Sequence, residues 1–430
     1  MSIKHPAVFV DRDGTLMEEV GFCGDPQGVK LIPGASTALR QLREQGFRIV
    51  IVTNQSGIGR GYYSEQDFER VQQELFRQLG GAELVDATYF CPDHPEVKPS
   101  RRKPAPDMLL DAARDLGLDL SRSYMVGDRE GDVGAGHNAS CRSVLVLSGE
   151  VRDPGGTAAD MVAQTIADAA EWILAHRQVE DAGLSVRSFQ RLGEGDDSIA
   201  WLLNEQLVCR IPKHEDARES LMREAEVLPR ISGALPLRVP APEFRHGFSM
   251  HERIHGEPLT LSELSRLTAL ERERCLAALG EFLQVLQSNR KPEQFPSLRV
   301  ADYLAGFADT AANAERVLFP QVSEEERRQM AAVLREWETF RFDGAPSLLH
   351  GDVSPDHILW DRETQRITGV IDFADIEFGD PAWDFIYFRE DYNETILREV
   401  LRLGGFAAEE LFERSRLLHA MQQIQYRLGR

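Results

Sequence analysis

Asp11 and Asp13 stand two apart in Val-Phe-Val-Asp-Arg-Asp-Gly-Thr-Leu (8–16), directly behind a short apolar run. A carboxylate in such a place can attack phosphorus and carry the group as an aspartyl-phosphate. A second carboxylate two residues on can protonate the leaving oxygen. Thr53-Asn54-Gln55 offers a hydroxyl and amides for a phosphate oxygen, and Arg102-Lys103-Pro104 supplies cations for the transferred group. Gly127-Asp128 adds a hard oxygen ligand, with Asp132 close behind. Mg²⁺ among these carboxylates would screen their repulsion from a phosphate dianion. Each pattern alone is ordinary, since Asp-x-Asp-Gly is a common turn. The order of all four, each near the end of an expected strand, points to phosphate-ester hydrolysis.

A second set of residues points to the opposite reaction. Leu-His-Gly-Asp-Val-Ser-Pro-Asp-His-Ile-Leu (349–359) is followed by Val-Ile-Asp-Phe (370–373). Asp352 beside a hydroxyl substrate and Asp372 beside metal-bound phosphates would be a kinase arrangement, where positioning and charge do most of the catalysis. Leu192-Gly193-Glu194-Gly195 is expected to fold over phosphates between two strands. Arg210 falls on the strand 207–212 and Glu224 on the helix after it, where the two can pair. Ser249–Ile254, with His251 and Arg253, is the candidate hinge offering backbone groups to adenine. A Gly-x-Gly is more often a plain turn, and an Arg–Glu pair of this kind is usually a surface bridge worth under about 1 kcal/mol. The weight therefore rests on His-Gly-Asp, with Asp372 and Gly379-Asp380-Pro381-Ala382-Trp383-Asp384 behind it.

The elements that must hold these residues differ between the two halves. Apolar runs at 7–10, 47–52, 87–90, 123–126 and 143–147 predict strands, and 35–45, 65–79, 105–116 and 165–177 predict helices. Strands alternating with helices of this length imply an α/β fold on a parallel sheet, with ligands at the carboxyl ends of its strands. From about 185 the rhythm changes to Gly-rich turns, short strands and long helices at 216–230, 261–289 and 323–340, which is α+β in character. A hairpin ending at 366–373 would return Asp372 to the Asp352 loop. The expected division is 1–178, a linker at 179–184, and 185–430.

The first half resembles the haloacid dehalogenase-like phosphatases, and within them the D-glycero-D-manno-heptose 1,7-bisphosphate phosphatase and histidinol-phosphatase subgroup. Thr-Asn-Gln-Ser-Gly-Ile-Gly-Arg-Gly-Tyr (53–62), Leu-Ile-Pro-Gly-Ala (31–35) and Cys-Pro-Asp-His-Pro (91–95) carry that resemblance beyond the acidic pair. It implies a Rossmann-like domain with a small cap or none, Asp11 as nucleophile and Asp13 as general acid/base. Thr53, Asn54 and Lys103 would bind phosphate, and Arg60 and Arg102 would contact a substrate phosphate. Mg²⁺ would sit on Asp11, Asp128 and the carbonyl of Asp13. Relatives often hold a structural zinc. Here Cys91 and His94 remain but the following segment has no cysteine, and two ligands do not close a tetrahedral site. No zinc is expected, and Pro92, Pro95 and Pro99 are expected to shape the loop.

The second half resembles the aminoglycoside phosphotransferase-like kinases over roughly 185–430, nearest the branch acting at a 2″-hydroxyl. The resemblance implies a protein-kinase-like fold with ATP (or GTP) as donor. Asp352 would be the catalytic base, and His357 and Asp372 the Mg²⁺ ligands. Two positions depart from that pattern. His357 stands where most relatives have Asn, and Arg210 where they have Lys, a replacement that changes donor geometry.

Composition narrows the partners. Lys and Arg number 49 against 70 Asp and Glu, a net charge of −21 in 430 residues. That argues against a nucleic-acid partner, which needs clustered cations, and leaves small phosphate ligands open. Cys23, Cys91, Cys141, Cys209 and Cys275 are odd in number and follow no disulfide spacing, which suits a reducing cytoplasm. No run of about 18 apolar residues predicts a membrane span. The reading is a bifunctional enzyme acting on small sugar phosphates or polyols, a phosphatase on a sugar bisphosphate joined to a hydroxyl kinase. Its alternatives are an aminoglycoside or amino-polyol kinase with an accessory phosphatase, and a phosphatase with a degenerate nucleotide-binding regulatory module.

Overall fold

The computed structural model describes residues 4–98 and 100–429. Two compact units divide after Gln190. The linker expected from the sequence pattern lies a little earlier, at 179–184.

At the centre of the first unit lies β1 (Ala7–Val10), a run of four apolar residues buried without exception. Such a run suits a strand covered on both faces. It is flanked by β2 (Arg48–Asn54), β3 (Ala87–Cys91), β4 (Tyr124–Gly127), β5 (Arg142–Val146) and β6 (Met161–Ala163). The sheet order is β3-β2-β1-β4-β5-β6, parallel throughout. The order turns back at β1, so the loops after β1 and β4 diverge and open a crevice at their carboxyl ends.

Helices α1 (Ala35–Glu44), α2 (Ser56–Gly59), α3 (Glu65–Leu79), α4 (Asp107–Leu116), α5 (Glu130–Asn138) and α6 (Ile166–Asp181) connect the strands. Local chemistry fixes their ends. Ser64 and Asp67 form a capping box at the start of α3, and Gly80, at φ 99°, closes it. Thr165 and Asp168 do the same at the start of α6. The short α2 and the Gly-rich α5 carry too little apolar periodicity to be read from sequence, and both border the site.

The second unit begins as a sheet ordered β10-β11-β9-β8-β7, from β7 (Phe189–Glu194), β8 (Ser198–Leu203), β9 (Leu207–Pro212), β10 (Glu243–Arg245) and β11 (Phe248–Glu252). Its pairs β10/β11, β11/β9 and β9/β8 are antiparallel. Helix α7 (Glu215–Ile231) follows β9. The remainder is β12 (Glu257–Pro258), helices α8 (Leu261–Arg266), α9 (Ala269–Gln287), α10 (Tyr303–Gly306), α11 (Ala308–Asn313) and α12 (Glu324–Thr339), strands β13 (Ser347–Leu349), β14 (Ile358–Asp361), β15 (Arg366–Val370) and β16 (Glu377–Gly379), then α13 (Glu394–Leu403) and α14 (Ala408–Leu428). The single helix expected over 261–289 is two. Thr268 accepts the Glu271 N–H while the Glu271 side chain returns to the Thr268 backbone, a capping box that starts a new helix.

Fully buried Phe282, Leu283 and Leu286 of α9 pack in one core with Phe378, Phe385 and Leu418. All five cysteines are buried and free. No helix among the described residues is long and apolar enough to cross a membrane.

Candidate active sites

β1 delivers Asp11 to the crevice, its N–H bonded to the Val126 carbonyl at 2.9 Å. Gly14 turns the chain away at φ +78°, and a Cβ there would lie 2.5 Å from Asp128 Oδ2. Carboxylate oxygens of Asp11, Asp128 and Asp132 all lie within 4.8 Å of one another. Lys103 Nζ meets Asp11 Oδ1 at 2.8 Å, Asp132 Oδ1 at 2.5 Å and the Val52 carbonyl at 2.7 Å. Burial, reinforced by Asp11, pushes Asp128 up to about 7. Burial also pushes Asp132 up to about 6, against the pull of Lys103. Asp128 Oδ2 accepts the Glu150 N–H at 2.8 Å, but its buried Oδ1 has no hydrogen-bond partner. Crowded hard oxygens with one unanswered are a donor set that fits Mg²⁺.

Asp13 points elsewhere. The Arg12 guanidinium donates to it at 3.0 Å and Gln55 Nε2 at 2.8 Å. Gln55 also donates to Thr53 Oγ1 at 2.9 Å and accepts from Tyr63 at 2.5 Å. The Asp13 carboxyl is thus held apart from the cluster on a chain of side chains. Asn54 uses its amide on the Lys103 backbone, at 3.0 Å and 3.4 Å, and so fixes the lysine.

The cavity over these groups is about 290 Å³ and includes Asp11, Asp13, Thr53, Arg60, Arg102 and Lys103 in its lining. Buried Nη1 of Arg102 has no hydrogen-bond partner among the described residues. Arg60 lies over the Phe22 ring, 5.9 Å from its centroid. Arg129 also lines the cavity, bound to Glu19 at 3.0 Å and Glu150 at 2.7 Å. In the neighbouring loop, Cys91 Sγ lies 3.5 Å from Asp93 Oδ2 and 3.6 Å from Ser100 Oγ, and His94 Nδ1 accepts the Glu96 N–H at 3.3 Å. Pro99 lies outside the described residues.

In the second unit Asp352 follows β13, on a loop clamped from beneath. Asp384 accepts the N–H of Gly351 at 2.9 Å and of His350 at 3.4 Å. His350 Nε2 meets the Ile371 carbonyl at 3.0 Å, and burial pushes this imidazole down to about 3. The antiparallel β14/β15 hairpin returns the chain to Asp372. That residue sits at φ +62°, a left-handed conformation that Asp tolerates better than most.

His357 Nδ1 is 2.9 Å from the Asp352 carbonyl, which can only accept, so Nδ1 carries the hydrogen. Nε2 then presents its lone pair 3.6 Å from Asp372 Oδ2. Burial raises Asp352, and its Oδ1 has no hydrogen-bond partner. Asp372 is lowered despite burial, chiefly by Arg210.

The Arg210–Glu224 pair is not the surface bridge its spacing suggests. Glu224 is 2% exposed, and Arg210 Nη1 reaches both its oxygens at 2.9 Å while Nη2 reaches Asp372 at 3.0 Å. Burial still pushes Glu224 up to about 7. A cavity of about 210 Å³ joins Gly193, Gly195, Ser198, Arg210, Asp352 and Asp372.

His251 and Arg253 stand outside that cavity's lining. His251 Nδ1 meets the Glu252 carbonyl at 2.9 Å, and the Arg253 N–H donates to the Gln206 carbonyl at 2.7 Å. Lys213 binds the Gly195 carbonyl at 2.8 Å and so braces the Gly-rich turn.

Sequence reasoning missed Tyr63, Glu19 and Arg129 in the first site, and Ser198 and Asp375 in the second. Arg129 adjoins Asp128, so adjacency was an available signal. None marked Glu19, which arrives from a loop.

Residues 182–419 match the family model described as phosphotransferase enzyme family. Residues 8–72 match the haloacid dehalogenase-like hydrolase model, and 100–169 the HAD-hydrolase-like one. The D-glycero-D-manno-heptose-1,7-bisphosphate 7-phosphatase of Thermosynechococcus vestitus is 40% identical over 193 residues, covering 40% of this chain and 98% of that protein. The D-glycero-beta-D-manno-heptose-1,7-bisphosphate 7-phosphatase of Escherichia coli K12 is 39% identical over 178 residues, 39% of this chain and 93% of that one. Among solved structures, the GDP complex of wild-type aminoglycoside 2'-phosphotransferase-IIIa superposes with a TM-score of 0.54 at 25% identity, over 59% of this chain and 90% of that chain.

Proposed function

The chain belongs to the phosphotransferase enzyme family through its second unit and to the haloacid dehalogenase-like phosphatases through its first, and from that premise we propose that both sites work, one adding a phosphate and the other removing one. The observation that carries the reading is that each unit brings carboxylates and a cation together beside a cavity. Asp11 and Asp132 meet Lys103 in the first, with an Asp128 oxygen within 4.8 Å of theirs, and Asp372 meets Arg210 in the second, with Asp352 in the same cavity lining.

In the first site Asp11 attacks phosphorus and the ester oxygen departs with a proton from Asp13. Water then cleaves the aspartyl-phosphate, with Asp13 taking the proton back. Arg12 and Gln55 hold Asp13 for both transfers, and Thr53 and Lys103 carry the phosphate oxygens. Mg²⁺, held by Asp11 and Asp128 with the Asp13 carbonyl, would supply charge neutralisation. The substrate is a sugar bisphosphate of the heptose 1,7-bisphosphate kind, and Arg60 with the free Nη1 of Arg102 takes its second phosphate. Short loops at 18–30 and 91–102 leave the site open to an exposed terminal phosphate.

In the second site Asp352 accepts the hydroxyl proton as the oxygen attacks the γ-phosphate of ATP or GTP. Mg²⁺ on Asp372 and His357 would neutralise the transferred group. The kinase product is the phosphatase substrate, and fusion raises the intermediate's local concentration.

A second reading, an amino-polyol acceptor, is favoured by one observation. Burial raises Asp352 against the pull of His357, and the charges of Asp375, Asp372 and Asp391 add to the rise, a field that suits a cationic acceptor. The deciding assay follows phosphate release and ADP release separately on sugars, sugar phosphates and aminoglycosides. Asp11→Asn abolishes phosphate release alone, and Asp352→Ala abolishes ADP formation alone. Loss of both activities from either change sinks the two-site reading. Heptose 1,7-bisphosphate turned over no faster than generic phosphate esters sinks the substrate assignment.

A further inference from the structure

A cavity of about 560 Å³ belongs to neither active site. It lies in the second unit between the end of α9, the loop before β13 and the start of α14. We propose that it binds a small organic anion with an apolar body, and that its occupant slows phosphoryl transfer at Asp352.

The volume falls within the range of small-molecule pockets. Phe342, Phe406 and Leu411 form its apolar wall, while Gln287, Arg290 and Arg414 form the polar one. Arg414 donates to Asp380 Oδ2 at 3.1 Å and to Glu410 Oε1 at 2.7 Å, and its guanidinium lies 4.9 Å from the Phe342 ring centroid. Both nearby carboxylates are therefore already answered. Arg290 is exposed and has no ion pair or side-chain hydrogen bond among the described residues. The cation left over sets the sign of the ligand, and the rings beside it set its body.

The route to the catalytic loop is short. Gln287 is 4% exposed, and its Nε2 donates to the Pro381 carbonyl at 3.1 Å and to Asp384 Oδ2 at 2.9 Å. The same Asp384 carboxylate holds the N–H groups of Gly351 and His350. The turn 380–384 thus has the cavity on one side and the Asp352 loop on the other. Its two buried carboxylates are each tied to a cavity wall, Asp380 through Arg414 and Asp384 through Gln287. An anion that draws Arg414 from Asp380 loosens this turn, and with it the clamp on Gly351.

The site is separate from the proposed reactions, and only the kinetic arm of its test rests on them. The probe is 1-naphthoate, a fluorescent aromatic carboxylate, titrated into the full chain. One saturable equivalent is expected to bind with a dissociation constant below about 1 mM. Arg290→Ala, a change at an exposed position, weakens binding roughly tenfold, as loss of a charge-assisted contact does. At saturation ADP formation falls, while phosphate release is unchanged. If no acceptor supports ADP formation, amide exchange over 348–354 replaces that readout, and faster exchange on saturation is the expected result. Absence of saturable binding, or Arg290→Ala binding as tightly as the wild type, overturns the site. Binding with unchanged ADP formation or exchange overturns the relay.

Discussion

Arg210 holds the second active site together, because its planar fork reaches two carboxylates on different elements. Both oxygens of Glu224 lie at 2.9 Å from one nitrogen and Asp372 at 3.0 Å from another. An ammonium cannot reproduce that geometry. Arg210→Lys is expected to lower ADP formation at least tenfold with the fold retained, and Arg210→Ala to cost about 3–5 kcal/mol by stranding Glu224. Steady-state kinetics and denaturant unfolding of both variants check this, and a fully active Arg210→Lys contradicts it. In the first site Gly14→Ala places a Cβ 2.5 Å from Asp128 Oδ2 in a left-handed conformation. The expected result is a severalfold rise in the Mg²⁺ needed for half-maximal phosphate release. Residue types were the most legible part of the sequence. Carboxylates behind apolar runs have few other reasons for their order, so Asp11, Asp128, Asp352 and Asp372 could be named. Contacts that span long stretches of chain could not. Gln55 reaches Asp13 across 42 positions, and no spacing rule encodes such a contact.

Elements were legible where periodicity was strong. The helix expected over 65–79 is α3 with the same bounds, since a capping serine and a closing glycine mark its ends. The expectation over 261–289 failed for a local reason, because Thr268 and Glu271 outrank the apolar pattern that runs through them. Helix α6 carries a testable burden. Fully buried His176 meets the Tyr124 hydroxyl at 2.8 Å, its Nε2 has no partner, and burial pushes it down to about 3. The fold keeps it neutral, so its contribution is complete above its ordinary pKa near 6.5. It is lost as pH falls toward 3, because the unfolded chain takes up a proton the native one refuses. The slope is about 1.4 kcal/mol per pH unit. His176→Phe is expected to lose less stability than the wild type between pH 6.5 and pH 5. Parallel losses in urea unfolding would assign the decline to other groups.

At the scale of the whole molecule, the change of rhythm near 185 gave away two architectures, and the family matches at 8–72 and 100–169 on one side and 182–419 on the other bear that out. The position of the division was harder to read. α6 continues to Asp181 and β7 begins at Phe189, so the junction has no Pro-rich or Gly-rich stretch to advertise it. Two compact units predict two calorimetric transitions. Mg²⁺ with orthophosphate is expected to raise one and Mg²⁺ with ADP the other, each by about 2.7 kcal/mol at a hundredfold excess over its dissociation constant. A single transition moved by both ligands would show the units unfolding as one.

Lys103 has three N–H hydrogens, and Asp11, Asp132 and the Val52 carbonyl stand around its nitrogen at 2.5–2.8 Å. An ammonium has no fourth. A phosphate oxygen arriving there must evict a partner, so substrate capture at this lysine is an exchange and not an addition. The neighbour that yields decides the outcome. If Asp132 lets go, the nucleophile stays oriented; if Asp11 does, it is freed for attack at the moment the substrate arrives.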